Sequence, residues 1–119
     1  MKELVTIKDF QRLDFHVGRV SDACRVEGSG KLLLLRIDLG KASDSDESET
    51  KDYLRQIVAG IGKAYDPQSL IGRQVVVLVN IEPRMILGVE SQGMLIAVDG
   101  DNPVLLVPEK EVRDGALLR

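Results

Sequence analysis

Between Asn80 and Ala97 the chain reads NIEPRMILGVESQGMLIA, a mixed loop held between two apolar runs. Its residue types suit an anionic ligand. Arg84 carries a planar fork of donors that matches a phosphate, and Ser91 adds a hydroxyl. Asn80 is placed to fix the base of the loop by bonding backbone. Pro83 ends strand pairing and stiffens the turn, and Gly88 and Gly93 allow close backbone approach or positive φ. Lys31, closing the loop EGSGK, can point at the same ligand, and Arg55, Lys63 and Arg73 are further sources of positive charge. Read without a ligand, the same stretch is a well-built hairpin in which Arg84 is only solvated. Within it the apolar trio Met85, Ile86 and Leu87 either covers one end of the fold or forms part of a protein contact.

No catalytic set accompanies these residues. The single cysteine, Cys24, excludes an internal disulfide and a multi-cysteine metal site. Cys24 falls inside a strand and is expected as a small buried hydrophobe. One histidine, His16, makes a zinc site of ordinary composition untenable. With no nucleophile–base pair, the expectation is a non-enzyme without metal or cofactor.

The elements that must position the loop follow from periodicity. Thr6 to Asp9 has the form of a capping box opening a helical turn. Residues 17–26 read as a first strand of imperfect alternation, in which Gly18 permits a bulge. Residues 31–39 form the clearest strand, with Leu33, Leu35, Ile37 and Leu39 on one face. A third strand spans 53–61. Asp66-Pro67 then starts a brief helix, with an N-cap carboxylate and proline at the first position, stopped at Gly72. Residues 74–79 and 94–98 read as fourth and fifth strands buried on both faces. This order, all-β with a short helix between strands 3 and 4, matches that of an OB-fold five-stranded Greek-key barrel, with a Greek-key barrel of another type as the alternative that strand order would distinguish. OB-folds bind oligonucleotides and oligosaccharides through the loops joining strands 1–2 and 4–5. One domain over 1–119 is expected, with a core of about 15–99 and a C-terminal extension, 100–119.

Charge bears on the partner. The net charge is −3, yet segment 38–52 alone holds six acids and two lysines. The remainder of the chain carries 13 acids against 14 bases, so the acidity is mostly local. The serine-rich loop 42–52 reads as a solvated, mobile spacer. No apolar run approaches the ~20 residues of a membrane span, and the N-terminus lacks a signal-peptide core, so a cytoplasmic location is expected. Only Phe10, Phe15, Tyr53 and Tyr65 are aromatic, a poor supply for base stacking. Recognition of RNA must then lean on shape and backbone.

Several long, ordered stretches resemble one family. DFQRLDFHVGRV, GSGKLLLLRIDLG, RQIVAGIGKAYDPQSLIGRQVVVLVN and the pattern N-x-x-P-R-x-x-x-G-x-x-S-x-G-M are similar to the small tRNA-binding domain. That family includes free-standing tRNA-binding proteins and the C-terminal or beta-subunit domain of methionyl-tRNA synthetases. The resemblance implies an OB-fold, sequence-independent binding to the folded corner of tRNA, and a homodimer when the domain stands alone. It carries an RNA-binding role onto Lys31, Asn80, Pro83, Arg84, Gly88, Ser91, Gly93 and Met94. Read as a complete chain, VLLVP and ALLR become the expected dimer contacts, and methionyl-tRNA synthetase a possible partner served in trans. The sequence departs from the family pattern at Glu82 and Met85, where lysines are usual, and at His16 and Gly30. Two alternatives follow from those departures: a chaperone-like dimer binding peptide through Glu82, Met85, Ile86 and Leu87, and an adaptor that docks onto a synthetase.

Overall fold

A computed structural model describes residues 1–40 and 53–119. The acidic loop 42–52 lies outside the described residues. The chain order is α1 (Ile7–Gln11), β1 (Phe15–Arg25), β2 (Leu33–Asp38), β3 (Leu54–Ala59), α2 (Pro67–Leu70), β4 (Gln74–Leu78), β5 (Arg84–Ile86), β6 (Val89–Ser91), β7 (Met94–Leu95), β8 (Ala97–Val98) and β9 (Val104–Leu105). Five strands form an antiparallel sheet in the order β3-β2-β1-β4-β7. The short α2 stands between β3 and β4, as the OB-fold requires.

β1 is long enough to serve both halves of the barrel. Its first residues, Phe15 to Arg19, pair with β4, and Arg19 to Arg25 pair with β2. Gly18 lies where the two pairings meet, and a Cβ there would strike Ile37 Cγ2 and touch Leu39. A bulge follows between Val20 and Asp22. It resets the alternation, so Val20 and Ala23 both face the core. The same reset turns Cys24 outward, and the thiol is exposed rather than buried. β2 keeps the expected face, with Leu33, Leu35 and Ile37 fully buried.

The edges of the sheet meet across a seam. Gln92 N donates to Gln56 O at 2.7 Å, and Gln56 N donates to Gln92 Oε1 at 3.1 Å. Val58 N donates to Ser91 Oγ at 3.0 Å, and that hydroxyl donates to Gly93 O at 3.1 Å. Side chains thus complete a ladder that backbone pairing leaves open.

The expected fifth strand, 94–98, is not one element. β7 pairs with β4, then the chain turns to β9, so β8 joins a separate two-stranded sheet. Met94 and Val98 are exposed, not buried. Beyond β9 the C-terminal extension returns along the free edge of β1. Gly115 N donates to Val17 O, Val17 N to Ala116 O, and Leu118 N to Phe15 O, at 2.7 to 2.9 Å. Arg19 binds Asp114 and Glu111, and Gln74 clasps Val112 and Asp114. Those two acids hold the Arg19 guanidinium above its ordinary pKa, first through the hydrogen bond to Glu111 and then through that to Asp114.

Both helix starts form, one as expected and one by another route. Thr6 and Asp9 make the reciprocal capping box. Asp66 makes no side-chain cap; instead its carbonyl accepts from Ser69 N and Ser69 Oγ.

Candidate nucleic-acid interface

The stretch 81–93 folds as a hairpin. β5 pairs with β6 from Arg84–Ser91 to Ile86–Val89, leaving Leu87 and Gly88 as a two-residue turn. Both have positive φ, 49° and 79°, the geometry that matches the twist of hairpin strands. Leu87 is the one non-glycine residue among those described to adopt it, and it is exposed. Its strain sits at the tip of the candidate loop.

The hairpin is hung on β3. Gln56 Nε2 donates to Glu90 O at 2.8 Å, and Arg55 donates to Gln92 O at 3.1 Å and Val79 O at 2.9 Å. Together with the seam bonds of Ser91 and Gln92, this fixes the hairpin from one side. The bonds also reassign Arg55, whose guanidinium supports the loop rather than adding surface charge.

A shallow groove of about 270 Å³ runs between the hairpin, the end of β3 and β7–β8. It brings together Arg84, Ser91, Gly93 and Met94 from the expected set. Their parts differ. Arg84 and Met94 are exposed to a ligand. Ser91 is buried and its hydroxyl is committed to the seam. Gly93 is structural: at φ 155° an added Cβ would lie 3.1 Å from Leu78 O and 3.2 Å from Ile57.

Asn80 bonds backbone at the base of the loop, and that backbone belongs to the N-terminal segment. Its Oδ1 accepts from Asp14 N at 2.8 Å and its Nδ2 donates to Arg12 O at 2.7 Å. The amide therefore ties the N-terminal segment to the root of the hairpin. Pro83 is exposed beside Arg84, and Gly88 is at the tip, away from the groove lining.

Lys31 does not line the groove but is linked to it. Gly62 N donates to Lys31 O at 2.7 Å, and Gly62 O accepts from Arg25 at 2.9 Å. Gly60 and Ile61, just before, form part of the groove wall. Arg25, Lys31 and Lys63 thus gather on one loop pair next to it, all exposed. Sequence reasoning missed Arg25, because its partner is a glycine carbonyl 37 residues away. Arg73 is apart, stacked over Tyr65 at 5.9 Å. His16 places Nδ1 3.0 Å from Gly115 O, packed under the C-terminal extension.

Comparisons with known proteins match this geometry. Residues 15–117 fit a family model described as "Putative tRNA binding domain". The chain belongs to the tRNA-binding domain family. The methionine–tRNA ligase of Methanothrix thermoacetophila is 47% identical over 119 residues, covering 99% of this chain. The ligase of Archaeoglobus fulgidus is 47% identical over 115 residues. The chain spans only about 16% of the length of either ligase. Among solved structures, a MetRS-related protein from Pyrococcus horikoshii superposes with TM-score 0.84 at 31% identity, covering 99% of this chain and all of that one. The chaperone CsaA from Bacillus anthracis superposes with TM-score 0.82 at 28% identity, covering 98% of this chain and all of that one. The tRNA-binding domain family and the barrel topology therefore agree from two directions.

Proposed function

We propose that this chain is a non-catalytic module that binds folded tRNA without reading its sequence. Arg84 on the hairpin and the cations Arg25, Lys31 and Lys63 beside the groove contact phosphates. The observation that carries the reading is this cluster, Arg84 on the 4–5 hairpin with Arg25 and Lys31 at the 1–2 loop and Lys63 after β3, on a barrel whose family is named for tRNA binding. The whole of 1–119 acts as one unit in this reading, because the extension 100–119 bonds back onto β1 and β4. It works as a cytoplasmic homodimer and assists methionyl-tRNA synthetase in trans. Support for the dimer is the exposed apolar surface of Val104, Leu106, Val107 and Leu117, which the chain's own barrel does not cover.

The test is binding of labelled folded tRNA across a salt series. Each phosphate contact contributes roughly 0.7–0.9 to the slope of log affinity against log salt. Saturable binding at low salt, with a slope that falls by about one contact's share in Arg84→Ala, supports the reading. No binding at low salt refutes it. A second reading, peptide binding, is favoured by Met85 and Leu87, which stand 67% and 62% exposed on the hairpin. Methionine adapts to varied apolar partners.

A further inference from the structure

Phosphate binding does not account for the acids in the groove. Glu82 and Asp99 line it together with Arg84. Both are exposed, and among the described residues neither forms an ion pair. Two carboxylates repel a phosphate, but they accept hydrogen bonds from N–H donors. The rest of the lining is largely aliphatic, including Ile61, Ile86 and Leu95. An aliphatic slot with acceptors on its rim and a cation beside them matches one nucleotide. The apolar lining takes the face of the base, a carboxylate takes its donor edge, and the cation takes its phosphate.

We propose that the groove holds one unpaired guanine of a bound RNA. Guanine presents N1–H and N2–H side by side, a pair that one carboxylate accepts bidentately, and Glu82 or Asp99 fills that role. Arg84 takes the adjoining phosphate, and Met94 packs against the ring. About 270 Å³ falls below the usual range for drug-sized ligands, which suits a single base better than a peptide segment. The charge beside the groove also selects RNA. Carboxylates would attract a basic peptide, yet Arg25, Lys31 and Lys63 on the neighbouring loops would repel it while attracting successive phosphates. Specific RNA recognition commonly works this way, on bases that a loop leaves unstacked. This inference rests on the tRNA-binding reading and adds one base preference to an otherwise sequence-independent grip.

The experiment titrates the intact protein with three RNA hairpins that differ at one unpaired loop base: guanine, inosine or adenine. Folded tRNA serves as the reference for RNA binding as such. Guanine is expected to bind about tenfold more tightly than adenine, with inosine between them because it keeps N1–H and lacks the amino group. The double variant Glu82→Gln, Asp99→Asn is expected to erase that order. If the double variant instead tightens all three hairpins by one common factor, the acids act only by repulsion and the proposal is overturned. Equal binding of the three hairpins by the unaltered protein, with tRNA still bound in a salt-dependent way, overturns the base preference alone. Failure to bind any RNA, with capture of a basic apolar peptide instead, overturns both readings.

Discussion

Ser91→Ala separates a seam residue from an RNA contact. The serine is 4% exposed, and its hydroxyl both accepts from Val58 N and donates to Gly93 O. Alanine leaves almost no cavity, so the cost comes from hydrogen bonding alone. Orphaning a buried donor costs about 1–3 kcal/mol, and the lost bond to Gly93 falls in the lower part of the same range. A net destabilisation of about 2 kcal/mol is the expected value. A 119-residue chain unfolds with an entropy near 0.25 kcal/mol/K at about 2.1 cal/mol/K per residue, so Tm should drop by roughly 8 °C. Thermal unfolding by circular dichroism reads this directly. Affinity for tRNA, measured well below both transitions, should stay essentially unchanged. An unaltered Tm combined with a marked loss of tRNA affinity would refute the seam assignment and place the hydroxyl on the ligand.

Gly18→Ala should destabilise by about 1–3 kcal/mol through overpacking against Ile37 and Leu39, seen as a lower urea midpoint at constant m. Leu87→Gly relieves a positive φ of 49° and should raise the urea midpoint by a net gain of up to about 1 kcal/mol, because the left-handed penalty of a leucine exceeds the entropy cost of a glycine. Arg19→Ala should speed amide exchange at Val112 to Leu118 with little change in global stability, since its ion pairs are partly exposed. The raised pKa of Arg19 means that its contribution is complete below the ordinary arginine value and is lost only as pH rises through the raised one. Exchange of this segment should therefore show no arginine-linked change between about pH 6 and 9 once the intrinsic rate is divided out.

The parts legible in the sequence were those set by local pattern. Leu33, Leu35 and Ile37 alternate cleanly, and β2 forms where that alternation says. The Thr6–Asp9 capping box depends on residues three apart, and it forms. What escaped was non-local. The outward turn of Cys24 depends on a bulge whose register is set by β2, and no spacing within β1 reveals it. The split of 94–98 depends on β9, which recruits the chain away from β4. For the candidate site the same division holds. Arg84 and Met94 reach the groove, but Ser91 and Asn80 carry polar groups that serve the scaffold. A motif shows which residues matter and not whether they face inward or outward. Arg25 shows the converse: it belongs to the basic cluster through Gly62, far away in sequence.

The manner in which the hairpin is attached explains how the barrel can tolerate different chemistry at its candidate binding loop. The bonds that hang it on β3 reach the backbone of Glu90 and Gln92, or the side chains of Ser91 and Gln92. None involves the side chains of Glu82, Pro83, Met85 or Leu87, which are exposed. Those positions can change charge without disturbing the seam. Adding cations by Glu82→Lys with Met85→Lys should therefore leave stability within about 0.5 kcal/mol, the ordinary range for surface changes. The same double change should steepen the salt dependence of tRNA binding by roughly 1.4–1.8 units if both lysines meet phosphates. It should also abolish the guanine preference to the extent that Glu82 rather than Asp99 supplies the acceptor. A large loss of stability would show that the side chains of 82 and 85 help hold the hairpin after all. An unchanged slope would mean that the phosphates pass elsewhere, with Arg25, Lys31 and Lys63 as the remaining track.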